Sequence, residues 1–184
     1  MVSIFKCHLT GRLRSAIQKG ILLELYVAKS FREHNIGVVC EKLGEKNNVC
    51  TSLEFDVGQG TPRDIDVLGY KEASSKDGEF TDLHIIMAEC KMGKLSDGKI
   101  SDKNNDFTNF FEKLRNEFED EGYRNIIPHK LFVGYNIDKE IEDAPYSRST
   151  LIDIDDLGRL GERVEKKIKR DSFKRSLKEF QTTN

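Results

Sequence analysis

The run Leu83-His84-Ile85-Ile86-Met87-Ala88 is the most apolar short stretch of the chain, and it ends abruptly in Glu89-Cys90-Lys91. A continuous apolar run of this length suits a strand buried on both faces, so it predicts the central strand of a sheet covered from two sides. Side chains alternate along a strand. Glu89 and Lys91 therefore share one face at its end, while Cys90 points the other way and leaves its carbonyl near the same place.

The segments around this run set the order of elements. From Leu13 to about His34, Ile17, Ile21, Leu25, Ala28 and Phe31 recur at helical spacing, with Thr10 or Gly11 to open the segment and Asn35 and Gly37 to stop it. Val38 to Cys40 reads as a short strand, Gly44 to Asn48 as a polar turn, and Val49 to Val57 as a second extended stretch. Gly58 to Pro62 is a breaker, and Arg63 to Tyr70 then alternates polar and apolar residues as a strand does. Lys71 to Thr81 is polar and leads into the central run. Met92 to Asp102 reads as a loop, and Phe107, Phe110, Phe111, Leu114 and Phe118 mark a second amphipathic helix, with Asn104, Asn105 or Asp106 to cap it. Lys130 to Tyr135 predicts a buried strand and Leu151 to Ile154 a short edge strand. Leu157, Leu160, Val164 and Ile168 predict a third helix, and the expected basic helical segment covers about 156–184. The resulting αβββαβ order suits one α/β domain over 1–184, a mixed β-sheet flanked by α-helices.

Composition narrows the function classes. With 184 residues, 37% apolar and 34% charged, the chain is long enough for one core. Thirty basic against thirty-two acidic residues give a net charge of −2, so any polyanion-binding surface must be local. No run approaches the roughly 18–20 apolar residues of a membrane span, and the first residues lack a signal-peptide pattern, so a cytoplasmic protein is expected. Cys7, Cys40, Cys50 and Cys90 have neither a C-x-x-C pair nor a zinc-finger interval, which favours thiols acting as small buried hydrophobes. No Gly-rich phosphate loop, ligand pairing of His8, His34, His84 and His129, or Ser/His/Asp order is present, so a nucleotide cofactor is not expected.

If the strands carrying Asp66 and Glu89 form an antiparallel hairpin about the polar segment between Tyr70 and Leu83, Asp64 or Asp66 falls beside Glu89. Two carboxylates at the edge of an apolar sheet repel and resist desolvation, and a hard divalent cation compensates both. Mg²⁺ is commonly held by one or two carboxylates, with waters and substrate phosphate completing its shell. Glu24 follows Ile17 by seven and Ile21 by three, which places it on the buried face of the first helix. Alternatively it sits at the margin of that stripe and reaches solvent.

In Gly20-x-x-x-Glu24, Asp64-Ile65-Asp66-Val67-Leu68-Gly69, Glu89-Cys90-Lys91 and the following Phe-rich helix, the sequence resembles the PD-(D/E)XK nuclease superfamily, which includes restriction endonucleases and Holliday-junction resolvases. The resemblance implies a restriction endonuclease-like core. It implies Asp66, Glu89 and the Cys90 backbone carbonyl as metal ligands, Lys91 as the group that orients or helps deprotonate the attacking water and offsets transition-state charge, and Glu24 on a second metal or its water. The expected cofactor is Mg²⁺, with Mn²⁺ able to substitute. The naming proline and aspartate are not adjacent here, because Pro62 precedes Asp64 by two and Asp66 by four. Asp66, followed by Val67-Leu68-Gly69 as in the family pattern, is favoured as first ligand, and Asp64 is the other candidate.

Lys94, Lys99 and Lys103, following Lys91, lie on the segment expected to overhang the site and are candidate nucleic-acid contacts; Arg163 to Lys178 holds a second basic run. The reading is a divalent-metal-dependent nuclease hydrolysing DNA phosphodiester bonds, expected to be an endonuclease in defence, repair, recombination or mobile-element biology. DNA is the expected partner on family frequency, and a homodimer is compatible with relatives that cut two strands. The alternatives are a noncatalytic nucleic-acid-binding or assembly subunit of the same fold, and an RNA-directed nuclease.

Overall fold

The computed structural model describes residues 16–38, 53–55, 63–74, 81–93, 95–118, 122–134 and 149–170. Within them the chain is α/β: helix α1 (Ala16–Glu33), strands β1 (Gly37–Val38), β2 (Leu53–Phe55), β3 (Arg63–Ile65), β4 (Val67–Ser74) and β5 (Thr81–Lys91), helix α2 (Asp97–Phe118), and strands β6 (Asn125–Gly134) and β7 (Ser149–Asp153). A 3₁₀ turn (Ile154–Arg159) then runs into helix α3, residues 160–170. Five strands form a mixed sheet in the order β1-β4-β5-β6-β7, and β2 pairs separately with β3. The apolar run is the middle strand of that sheet, antiparallel to β4 and parallel to β6.

Alternation along β5 divides the core. Ile86, Ala88 and Cys90 pack beneath α1 and α3 with Leu23, Val27, Phe31, Leu160, Val164 and Ile168. Ile85 and Met87 face α2, where Ile100, Phe107 and Phe110 meet Phe132. Three helices on two faces thus bury the central strand, as its uninterrupted apolar character demands. Among the described residues no helix is long and apolar enough to cross a membrane.

Helix α1 ends where Asn35 adopts a left-handed φ of 55°. The amide of Ile36 donates to the carbonyl of Phe31 at 2.9 Å and that of Asn35 to Arg32 at 3.1 Å, the Schellman pattern, and Ile36 and Phe31 bury together in the core. The expected stripe of α1 is rotated, because Leu23, Val27, Ala28 and Phe31 are buried whereas Ile21 is 48% exposed. Glu24 is accordingly half-buried at the flank rather than under the helix.

Several boundaries move. The strand expected over Arg63 to Tyr70 breaks at Asp66 and resumes to Ser74, deep into the segment read as a polar loop. Antiparallel pairing with β5 satisfies the backbone there without any need for apolar side chains. Strand β6 starts at Asn125, ahead of the expected Lys130, with Pro128 inside it. Pro128 is tolerated because β7 first pairs at Lys130, so that half of β6 has a partner on one side only. Helix α2 begins at Asp97, so most of the expected loop from Met92 to Asp102 is helical. Its first turns escaped the periodicity because Ile100 is their one large apolar residue. The expected strand residues Val39, Cys40 and Val49, the thiols of Cys7, Cys40 and Cys50, and the basic segment beyond residue 170 lie outside the described residues.

Gly69 of β4 lies under α1. A methyl group there would sit 2.8 Å from Phe31 Cδ2 and 3.0 Å from Ile36 Cγ2. Gly69→Ala is expected to destabilise by about 1–3 kcal/mol in urea titration through overpacking. Gly98→Ala, where nothing lies within 4 Å of the added carbon, is the control and is expected to leave stability unchanged or raise it.

Candidate functional site

The register of β4 on β5 pairs Val67 with Ala88, so one step further Asp66 lies across from Glu89 at the carboxyl end of β5. That end is shared with the parallel strand β6, where Gly134 pairs with Lys91. Such ends of parallel strands are where open α/β sheets hold ligands. Strand alternation fails at Asp66: Ile65 and Leu68 both join the core under α2, while Val67 faces α1. The bend turns the Asp66 carboxylate toward the neighbouring strand, where its Oδ2 accepts a hydrogen bond from the Cys90 amide at 2.6 Å.

Glu89 is 3% exposed and is contacted by two ammonium groups. Lys91 Nζ lies 2.6 Å from Oε1, and Lys103 Nζ lies 2.8 Å from Oε2. Lys103 also donates to the Asp64 carbonyl at 2.6 Å and to its Oδ1 at 3.1 Å, tying β3, β5 and α2 together. Lys91 stands at the rim, half-exposed.

Burial, chiefly, and the charge of Glu89 push the Asp66 carboxyl up to about 7, against the Cys90 amide and Lys91, which favour its anion; Glu24 adds to the rise. Glu24 is therefore within electrostatic reach of Asp66. Burial, then Asp66, Glu24 and Glu89, raise the Cys90 thiol well above its ordinary value, so its sulfur stays protonated and the residue's polar groups facing the site are main-chain ones. Burial opposes the charge of Lys91, but the hydrogen bond and charge of Glu89, with Asp66 and Asp64, outweigh it and hold its pKa above the usual value.

Asp66, Glu89 and Lys91 thus meet at the β3–β4 bend and the end of β5, and Glu24 of α1 is within electrostatic reach of Asp66. Asp64 joins them through Lys103. Among the described residues no group of three or more His, Cys, Asp or Glu side chains is gathered closely enough to hold an ion by itself. Oxygen donors from two carboxylates and a carbonyl fit a hard ion that keeps its waters, which needs no such group. Lys99 is exposed on α2, and Lys94 lies outside the described residues. Lys103, expected on an overhanging loop, is instead inside the site on α2. Its spacing betrays it, since Ile100, Lys103, Phe107 and Phe110 form one helical stripe in which a lysine requires a buried acid. Away from this end, the buried rings of His84 and His129 stack and approach at 2.8 Å between Nδ1 and Nε2.

Compared with known proteins, the chain matches no family model, no curated protein and no solved structure.

Removing Lys103 leaves Glu89 with Lys91 as its cationic partner. Lys103→Met is expected to cost about 1–3 kcal/mol in urea titration of chelator-treated protein, because one of two charged contacts to a buried acid is lost. The Asp66 shift has a defined sign. An acid whose pKa is raised on folding binds its proton more tightly in the folded state, so stability is lost as pH climbs from the unfolded value of 3.8 through about 7. Metal-free wild type should lose on the order of 4 kcal/mol at most across that window from this group. Asp66→Asn should flatten the profile in denaturation series from pH 4 to 8, and equal slopes would contradict the assignment.

Proposed function

We propose that the chain is a divalent-metal-dependent nuclease of the PD-(D/E)XK type, with a restriction endonuclease-like core, hydrolysing DNA phosphodiester bonds. The observation that carries this reading is the register that sets Asp66 across from Glu89 at a strand end, with Lys91 on Glu89 and the Cys90 main chain between them.

In this reading Asp66, Glu89 and the Cys90 carbonyl hold Mg²⁺ or Mn²⁺, and Glu24 holds a second ion or its water. A bound divalent ion lowers the pKa of water and neutralises phosphate charge. The chain's own groups do the rest. Lys91, ion-paired with Glu89 and half-exposed, is an ammonium at the rim, where it orients the attacking water and offsets the charge that develops on the phosphoryl oxygens. Burial of Glu89 and Asp66 fixes their positions before substrate arrives, and the apolar strand behind them limits water to one side.

The noncatalytic alternative draws on Lys103. With an ammonium on each oxygen of Glu89, that acid is compensated without any metal. Incubation with supercoiled, linear, branched and single-stranded DNA, and with RNA, in Mg²⁺ or Mn²⁺ separates the readings. Wild type is expected to cleave, and Glu89→Ala and Lys91→Ala to lose about 10²–10³-fold in rate. Equal cleavage by all three proteins would identify a contaminant. Metal-independent binding without cleavage would favour the noncatalytic subunit, and cleavage of RNA alone would change the substrate.

A further inference from the structure

Asp64 and Asp66 stand two residues apart but meet different partners, because the chain bends at the second of them. Asp66 turns to the Cys90 amide, and Asp64 turns to Lys103. The ammonium of Lys103 is enclosed by three oxygens: the Asp64 carbonyl at 2.6 Å, Asp64 Oδ1 at 3.1 Å and Glu89 Oε2 at 2.8 Å. An ammonium carries three N–H groups, so three oxygens use all that it has to offer. Two carboxylates and a main-chain carbonyl are also the donor types that a hard metal ion takes. Here a lysine nitrogen sits at their centre.

The two lysines of Glu89 differ in how firmly they are held. Lys91 reaches Oε1 from the strand end with its side chain 51% exposed, whereas that of Lys103 is 12% exposed. Ile100 and Phe107, three residues before Lys103 and four after it on the same helical face, are both fully buried, so the stem of Lys103 runs within a packed layer. Lys91 can swing to solvent and leave Oε1 free. Lys103 cannot leave Oε2 without repacking α2 on the sheet. A divalent ion between Asp64 and Glu89 would therefore meet a fixed positive charge at contact distance, whereas Oε1 is held by a movable one.

We propose that Lys103 is a positioning residue whose ammonium occupies the cation place between Asp64 and Glu89, so that Asp64 is withheld from a divalent ion and Asp66 is left as the aspartate that shares one with Glu89. This role rests on the nuclease reading of the pocket and deepens it by deciding between the two aspartates.

The oxygens stand 2.6–3.1 Å from the Lys103 nitrogen, nearer to the roughly 2.3–2.6 Å of Ca²⁺ contacts than to the roughly 2.0–2.1 Å of Mg²⁺, so Ca²⁺ is the probe for the vacated place. The test counts Ca²⁺ ions bound to the full chain without DNA by isothermal titration calorimetry, up to about 10 mM, above the roughly 10⁻⁴–10⁻³ M dissociation constants of weak protein sites. Lys103→Ala is expected to bind one more ion than wild type, and Lys103→Ala/Asp64→Asn to return to the wild-type number. Lys103→Gln, one carbon shorter and uncharged, is expected to gain the same ion and serves if the alanine variant does not fold. Asp64→Asn alone should leave the wild-type number unchanged. A lysine that only braced α2 would alter stability and not the count, so equal numbers in wild type and both Lys103 variants would overturn the proposal, as would loss of an ion from Asp64→Asn. Cleavage of DNA by wild type with equal numbers in all variants would keep the nuclease and remove this role of Lys103. An Asp64-dependent ion gained by Lys103→Ala, beside a wild type that binds no ion and cleaves nothing, would keep Lys103 as the occupant of that place and remove the nuclease.

Discussion

The register between β4 and β5 is the constraint on which the acidic pocket depends. Each strand places alternate side chains on opposite faces, so a slip of one residue would bring Val67 or Ile65 opposite Glu89 and send the side chains packed under α1 to the α2 face. The cores on the two faces forbid that slip, since Val67 and Ala88 pack under α1 while Leu68 and Met87 pack under α2. Hydrophobic burial far from the pocket thereby fixes the positions of its acids. The bend at Asp66 completes the placement by letting a carboxylate reach a main-chain amide of the adjacent strand.

The two central acids are accommodated by different means. Glu89 receives lysines from its own strand and from α2, so its charge is balanced by charge. Asp66 receives a dipole from the Cys90 amide, and burial beside a second carboxylate leaves it prone to keep a proton. One acid thus has two lysines as permanent partners, and the other has a main-chain amide and a raised pKa. This division follows from where each residue lies: Glu89 is in regular strand with its side chain toward α2, and Asp66 is at the break between two strands.

Much of the sheet was legible because burial on both faces writes itself into sequence as an uninterrupted apolar run, and because Glu89-Cys90-Lys91 marks where that burial stops. Counting residues outward from a hairpin placed Asp64 or Asp66 beside Glu89, and the observed register selects Asp66. Elements held by backbone pairing or by ion pairs were less visible. Strand β4 beyond Tyr70 alternates exposed polar residues, β6 opens with Asn125 and carries Pro128, and the first turns of α2 hold Ile100 as their one large apolar residue. Lys103 was misplaced for the same reason, since it joins the buried stripe only when α2 is extended upstream. Glu24 was legible as either buried or at the margin of the stripe, and its half-buried place matches the margin reading, because α1 is turned so that Leu23 faces the sheet and Ile21 is exposed.

Lys103 connects two things that sequence keeps apart. It sits early in α2, in turns with few apolar anchors, and its ammonium reaches Glu89 and both oxygen types of Asp64. The beginning of α2 is consequently anchored to the sheet by charge where apolar contacts are few, so the helix owes its upstream extent to acids that lie on β3 and β5.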